Sequence, residues 1–127
     1  MYTLGVMMTS EKLIKSKERV QKHGEVFTPS WMVQKMLDTE GVKEACENIY
    51  STFLEPSAGD GNFLVAILER KIEAVTLQFD KTSWKTKSLF ALASIYGIEF
   101  LEDNLEIARF KMLNNYMAWY ERVFAEG

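Results

Sequence analysis

A glycine-rich turn interrupts an otherwise apolar part of this chain. Residues 53–64 read Phe-Leu-Glu-Pro-Ser-Ala-Gly-Asp-Gly-Asn-Phe-Leu, which places two of the seven glycines and one of the two prolines within a dozen residues. β-Branched and aromatic residues over 49–54 predict a buried strand before the turn, and the apolar run 62–68 predicts a helix after it. Such a turn leaves backbone N–H groups free at a helix N-terminus, where a ligand can approach closely. An ordinary strand-to-helix turn that uses glycine fits as well.

Apolar residues recur at helical spacing in two further segments, one after Pro29 and one near the C-terminus. The first contains Met32, Val33, Met36 and Leu37, and the second contains Leu105, Ala108, Met112, Tyr116, Trp119 and Val123. Ser30 is a candidate cap for the first helix, and Asp103 or Asn104 for the second. A sparser pattern predicts a helix over 10 to about 22.

The remaining segments are shorter or ambiguous. Residues 42–48 predict a short helix, and 95–100 a second buried strand. Residues 73–88 begin with an alternation that suggests a strand and continue as a lysine-containing surface excursion, and a helix end is predicted at 89–93. The predicted order of elements is helices, strand, glycine turn, helix, strand and helix. This order predicts a partial doubly wound α/β sheet.

Composition limits the class of protein. The chain has 127 residues, which is the size of one domain, and contains no apolar run of about 18 residues that would predict a membrane span. Cys46 is the single cysteine, so we expect no internal disulfide and a cytoplasmic location, and because the chain has only one histidine as well we expect no zinc site. The net charge of −3 argues against a protein that coats nucleic acid.

The residues of the turn limit the kind of ligand that it can bind. A dinucleotide fold calls for Gly-x-Gly-x-x-Gly, whereas Leu64 stands at the third glycine position. Glu55 and Asp60 bracket the turn, and these carboxylates repel a pyrophosphate but suit a cationic ligand. An acidic residue after the next strand usually holds ribose hydroxyls, and there are two candidates, Asp80 and Glu99. We favour Glu99, which requires residues 73–93 to form an elongated connection.

Three segments, in order, resemble one family, the S-adenosylmethionine-dependent DNA adenine-N6 methyltransferases of restriction–modification systems. Glu55-Pro-Ser-Ala-Gly-Asp-Gly61 followed by Asn-Phe-Leu is similar to the first family signature. Gly24-Glu-Val-Phe-Thr-Pro29 resembles the cofactor segment upstream, and Tyr96-Gly-Ile-Glu99 with Asn104–Arg109 resembles the ribose-binding segment and its helix. The resemblance covers roughly 22–112 and implies a partial Rossmann-like methyltransferase fold. It divides the chain into an N-terminal helical segment, 1–23, and an incomplete cofactor-binding domain, 24–127.

The resemblance also implies roles in binding S-adenosylmethionine. Glu55 is expected to meet the methionine ammonium, and Thr28, with Phe27 beside it, the carboxylate. Glu99 is expected to accept the ribose hydroxyls, with Phe100 or Ile98 flanking the adenine. Backbone contacts are expected from Ser57, Ala58, Gly59, Asp60 and Gly61. For Phe27 and Phe100 core packing is an open alternative, and for Asp60 a capping role at the start of the helix.

One family motif is missing. The chemistry needs Asn or Asp, then Pro-Pro, then an aromatic residue, to hold a flipped-out adenine. This chain has only Pro29 and Pro56, so no catalytic residue is predicted, and DNA is expected to be contacted by parts of a longer enzyme. Self-association or a partner subunit is expected at an open sheet edge and the C-terminal helix. Alternatives are a non-catalytic cofactor- or partner-binding module and a related RNA or protein-glutamine methyltransferase.

Overall fold

The computed structural model describes the backbone of residues 2–3, 13–14 and 26–125 and the side chains of residues 28–125. This part of the chain is mixed α/β and mostly helical. Its strands are β1 (Tyr2–Thr3), β2 (Leu13–Ile14), β3 (Val26–Phe27), β4 (Phe53–Glu55) and β5 (Ile95–Gly97). Its α-helices are α1 (Ser30–Leu37), α2 (Val42–Cys46), α3 (Asn62–Gln78), α4 (Trp84–Ala93) and α5 (Glu102–Phe124). A 3₁₀ turn, Lys81–Ser83, leads into α4.

Strand β4 lies between β1 and β5, and both neighbours run parallel to it. Phe53 pairs with Ile95 and Glu55 with Gly97, so β4 and β5 end at the same edge of the sheet. Two helices, α3 and α4, connect them, as a parallel pair requires. Strands β2 and β3 form a separate antiparallel pair.

Helix α3 is the centre of the apolar core. Its buried residues point almost all round the helix, as the apolar run after the glycine turn predicted. One side packs with α1, α2 and Phe53. The other side packs with α4 and α5, where Tyr116 and Trp119 are buried against Leu68 and Ile72. Helix α3 is therefore covered on both sides.

The helical predictions for α1 and α5 are confirmed, but their predicted caps are wrong. Ser30 is the first residue of α1 rather than its cap, and no side chain caps that helix. Helix α5 begins at Glu102, before Asp103 and Asn104. The apolar spacing located each helical face, whereas the helix ends depend on backbone turns that periodicity does not describe.

Four other predictions need correction. Leu13–Ile14 is a strand paired with β3, not part of a helix; the rest of the helix predicted over 10–22 lies outside the described residues. The alternation at 75–79 is not a strand, because α3 continues to Gln78 and buries Val75. Strand β4 is shorter than 49–54 and begins at Phe53. Strand β5 is partly exposed rather than buried, since β4 is its only partner within the described sheet.

Candidate ligand-binding site

Glu55, Glu99 and the glycine turn, which were predicted to bind a cofactor, meet where β4 and β5 end. Glu55 is the last residue of β4, and Glu99 follows β5 by two residues. The backbone of Ile98 joins the two connections: its N–H donates to the Glu55 carbonyl at 2.9 Å, and its carbonyl accepts the Ala58 N–H at 2.8 Å. The glycine turn and the segment after β5 therefore form one hydrogen-bonded unit, and the two acidic residues share one edge of the sheet.

Positive φ angles shape the turn. Gly59 has φ +56° and Gly61 has φ +93°, which non-glycine residues rarely adopt. A Cβ added to Gly61 would lie 2.9 Å from the Cβ of Ala108 on α5. Glycine is required here for backbone geometry and because α5 packs directly against the turn.

The backbone N–H groups of the turn are mostly used inside the protein, contrary to the expectation that they stay free. Ser57 donates to a carboxylate oxygen of Glu55, and Gly61 donates to the Ala58 carbonyl. Gly59 donates to Glu99 at 2.9 Å. The turn folds back on itself and onto its acidic neighbours, so the polar groups it offers to a ligand are chiefly side-chain oxygens.

Glu55 is a buried carboxyl group of which one oxygen accepts a hydrogen bond and the other does not. The residue is 1% exposed, and its Oε1 accepts the Ser57 N–H at 2.9 Å. Its Oε2 is buried without a hydrogen-bond partner in the part of the chain that is described. Burial raises the pKa of Glu55 to about 7, and the bond from Ser57 opposes that shift.

Thr28 presents the same feature. The residue is 3% exposed, and its Oγ1 is buried with no partner among the described atoms. Its backbone carbonyl accepts a hydrogen bond from Asn62 Nδ2 at 3.3 Å, which links this segment to the start of α3. Phe27 contributes backbone to β3, and its side chain lies outside the described residues.

Buried polar atoms without partners can indicate a ligand site, because burying an unpaired polar group costs about 1–3 kcal/mol. Three side-chain atoms of the described residues are in this state: Thr28 Oγ1, Glu55 Oε2 and Trp119 Nε1. Two of the three belong to residues that the sequence assigned to ligand binding. A bound polar ligand would supply their missing partners.

Glu99 holds two loops together. Its Oε1 accepts the Gly59 N–H at 2.9 Å, and its Oε2 accepts the Leu101 N–H at 3.0 Å. Each carboxylate oxygen has a further acceptor position, so both bonds are compatible with ribose hydroxyls as additional donors. The structural role was missed from the sequence because Gly59 lies 40 residues before Glu99.

Asp60 pairs with a residue that the sequence did not single out. Its Oδ2 lies 3.2 Å from Lys111 Nζ on α5, and both side chains are partly exposed. Gly61, not Asp60, is the N-cap of α3, and no side chain caps this helix, so the capping alternative for Asp60 is wrong. Lys111 falls on a solvated helix position with no local motif, which is why only the fold reveals it.

The structure also bears on two alternatives that the sequence left open: core packing of Phe100, and the choice between Asp80 and Glu99 as the acidic residue beside the turn. Phe100 is 91% exposed, so the core-packing alternative for Phe100 is wrong. Asp80 follows α3, whose 17 residues rise about 25 Å from the glycine turn. Asp80 therefore lies at the opposite end of α3 from Glu55, and the acidic residue beside the turn is Glu99.

A groove reaches the glycine turn. It has a volume of about 340 Å³, touches the turn at Ala58 and β5 at Gly97, and extends between β5, α4 and α5. A larger cavity, of about 530 Å³, lies between α1, α2 and α3, and none of the predicted site residues lines it.

Among the described residues, no three His, Cys, Asp or Glu side chains are close enough together to hold a metal ion. No described helix has the length and apolar character needed to cross a membrane.

Comparison with known proteins adds no assignment. No protein-family model, curated protein or solved structure matches the chain. The interpretation of the site therefore depends on its residues and their geometry.

Proposed function

We propose that this chain binds S-adenosylmethionine and is the cofactor-binding portion of a DNA adenine-N6 methyltransferase of a restriction–modification system. In this proposal the β4–α3–α4–β5–α5 arrangement is part of a doubly wound, Rossmann-like sheet, and the protein acts in the cytoplasm. The observation that carries the proposal is the convergence of Glu55, Glu99 and the glycine turn, with one buried Glu55 oxygen left unpaired.

Each end of the cofactor has a chemical counterpart at the site. The methionine ammonium is a hydrogen-bond donor and a cation, as Glu55 Oε2 requires. The methionine carboxylate accepts the hydrogen bond that the Thr28 hydroxyl can donate. The ribose hydroxyls donate to Glu99, and the adenine covers part of the exposed Phe100 ring. Carboxylates dominate this list, which favours a sulfonium nucleoside over a pyrophosphate.

The transfer step itself needs residues that this chain lacks. The adenine N6 attacks the sulfonium methyl group in line, the carbon–sulfur bond breaks, S-adenosylhomocysteine leaves, and the methylated N6 releases one proton to water. The chain orients the cofactor for that attack, but it has no Pro-Pro motif to hold a flipped adenine. We therefore expect cofactor binding without methyl transfer to DNA by this chain alone.

Isothermal titration with S-adenosylmethionine and S-adenosylhomocysteine tests the proposal. We expect both to bind wild type, and Glu99→Ala to reduce affinity at least tenfold, because it removes a hydrogen-bonded charge worth about 1.5–3 kcal/mol. Glu102→Ala is the matched control, since it removes a carboxylate three residues away in the first turn of α5. Absence of binding to wild type, or equal affinity in wild type and Glu99→Ala, would contradict the assignment.

A second candidate function is a module that binds a partner chain. Exposed apolar side chains favour it: Phe110 and Leu113 on α5 are 68% and 62% exposed, and β5 has a free edge within the described sheet. The partner is a subunit or a second copy that covers β5 and α5. Light scattering of wild type and Leu113→Glu distinguishes self-association, which the charge should abolish, from a monomer unaffected by it.

A further inference from the structure

Lys111 connects the glycine turn to α5 through two polar contacts. Its Nζ lies 3.2 Å from Asp60 Oδ2 and 3.3 Å from Asn62 Oδ1. Asn62 in turn donates from Nδ2 to the Thr28 carbonyl at 3.3 Å. Three parts of the chain that are distant in sequence thus meet at one lysine and one amide.

We propose that Lys111 and Asn62 form a clamp that positions the ligand site, with Lys111 as its positioning residue. The effect on ligand binding rests on the proposed function above. Lys111 donates to Asp60 of the turn, while the preceding residue, Gly59, donates to Glu99. Through Asn62 it also fixes the backbone of Thr28, the residue with an unpaired buried hydroxyl.

The backbone of the turn explains why a clamp is needed. Gly59 and Gly61 both have positive φ, and glycine has more accessible backbone conformations than any other residue. A turn containing two such residues loses a large conformational entropy when it is fixed in one state. Side-chain contacts at Asp60 and Asn62 restrict it on the α5 side, between and immediately after the two glycines.

The clamp acts on local order rather than on global stability. Lys111 and Asp60 are partly exposed, and exposed ion pairs contribute little to the free energy of unfolding. Loss of the clamp should therefore leave the fold intact while the turn and the Thr28 segment become more mobile. This pattern separates positioning from a role in the core.

A purely electrostatic role of Lys111 predicts a different change in ligand affinity from the loss of a clamp. The two roles can therefore be distinguished by measuring the affinities of both ligands. Removing Lys111 makes the site more negative, because Glu55, Asp60 and Glu99 remain. A purely electrostatic role would then strengthen binding of cationic S-adenosylmethionine relative to uncharged-sulfur S-adenosylhomocysteine. Loss of a clamp instead weakens both ligands by a similar factor, because both use the same turn.

The experiment compares Lys111→Met, Lys111→Arg and the control Arg122→Met, which removes a positive charge from an exposed position in the last turn of α5. Hydrogen exchange of peptides covering 56–62 and titrations with both ligands are measured on each protein. For Lys111→Met we expect about threefold faster exchange of the turn and about threefold weaker binding of both ligands. Lys111→Arg should restore both within about twofold, and Arg122→Met should change neither.

The two readouts separate failure of the clamp from failure of the proposed function. If wild type binds neither ligand, the proposed function fails, and the exchange data still decide whether the clamp exists. Unchanged exchange of residues 56–62 in Lys111→Met would overturn the clamp. A change confined to the ratio of the two affinities would overturn it as well and assign Lys111 an electrostatic role.

Discussion

Two buried ionisable residues lie at opposite ends of the same pair of strands and differ in how completely their polar atoms are hydrogen-bonded. Lys71 is 0% exposed, and its Nζ donates to the Asn48 carbonyl at 3.0 Å, to Ser94 Oγ at 2.8 Å and to the Ser51 carbonyl. Glu55 is equally buried, but one of its oxygens has no partner among the described residues. Lys71 lies near the residues that precede β4 and β5, and Glu55 lies where β4 ends.

The contrast distinguishes a structural charge from one available to a ligand. All three N–H donors of Lys71 have acceptors close by, and its ammonium also lies 5.1 Å from the centre of the Phe53 ring. Burial nevertheless lowers the pKa of Lys71 to about 8. Burial also desolvates Glu55, but one of its oxygens has no hydrogen-bond partner among the described residues. An uncompensated buried group at the carboxyl end of parallel strands is where a ligand is expected.

The largest predicted effect concerns the pH dependence of folding at Glu55. Burial raises its pKa from 4.5 to about 7, so the folded protein binds more protons than the unfolded chain between these values. The free energy of unfolding therefore falls as pH rises through this window, by roughly 2.5 kcal/mol between pH 5 and pH 8 from this group. Urea unfolding of wild type and Glu55→Gln at both pH values measures the difference.

Glu55→Gln should lack this component, because glutamine does not ionise. Other titrating groups, His23 included, are shared by the two proteins and cancel when their pH profiles are subtracted. Parallel profiles for wild type and Glu55→Gln would mean that Glu55 has an ordinary pKa. The contrast between the two buried residues would then disappear.

The second prediction concerns Lys71, the other buried residue in this comparison. Lys71→Met keeps the length of the side chain but removes the ammonium that donates to the carbonyls of Asn48 and Ser51 and to Ser94 Oγ. We expect a loss of about 2 kcal/mol in the free energy of unfolding, since the loss of three hydrogen bonds from a charged donor outweighs the relief of desolvation. Ligand affinity should not change, because Lys71 is remote from the turn. Lys35→Met, at an exposed position of α1, is the control.

A destabilised Lys71→Met that also loses affinity would show that the two ends of the strands are coupled. A neutral effect on unfolding would show that the three acceptors are satisfied by other means, and that Lys71 is not a structural charge. Either outcome would remove the distinction drawn between Lys71 and Glu55.

The sequence predicted that Glu55, the glycine turn and Glu99 meet at one edge of the sheet, but it did not predict the contacts of the lysines. Glu55, the glycine turn and Glu99 could be located because strand, turn and helix leave local patterns, and because parallel strands bring their carboxyl ends together. Lys71 and Lys111 left no such pattern. Their partners lie 20 to 51 residues away, and a lysine on a helix has the same local signature whether it is solvated or paired.

The fold was predictable to a similar degree, for similar reasons. Helical spacing located α1 and α5, and the apolar run located the start of α3. The alternation at 75–79 was misleading because its three apolar residues do not share an environment: Val75 is buried in α3, Leu77 is 77% exposed, and Phe79 lies just past the end of the helix. The pairing of Leu13–Ile14 with β3 is set by tertiary contact rather than by local propensity.

The smallest predicted effect links ligand affinity to the ionisation of Glu55, and it depends on the proposed function. A cationic ammonium binds the ionised carboxylate, so the apparent affinity scales with the ionised fraction. With a pKa of about 7 that fraction rises about fivefold between pH 6 and pH 7, a range in which an α-ammonium stays largely protonated. The dissociation constant for S-adenosylmethionine should therefore fall about fivefold over this range, as titration calorimetry can measure. Glu55→Gln should bind more weakly with no such dependence, and the same slope in both proteins would place the ammonium away from Glu55.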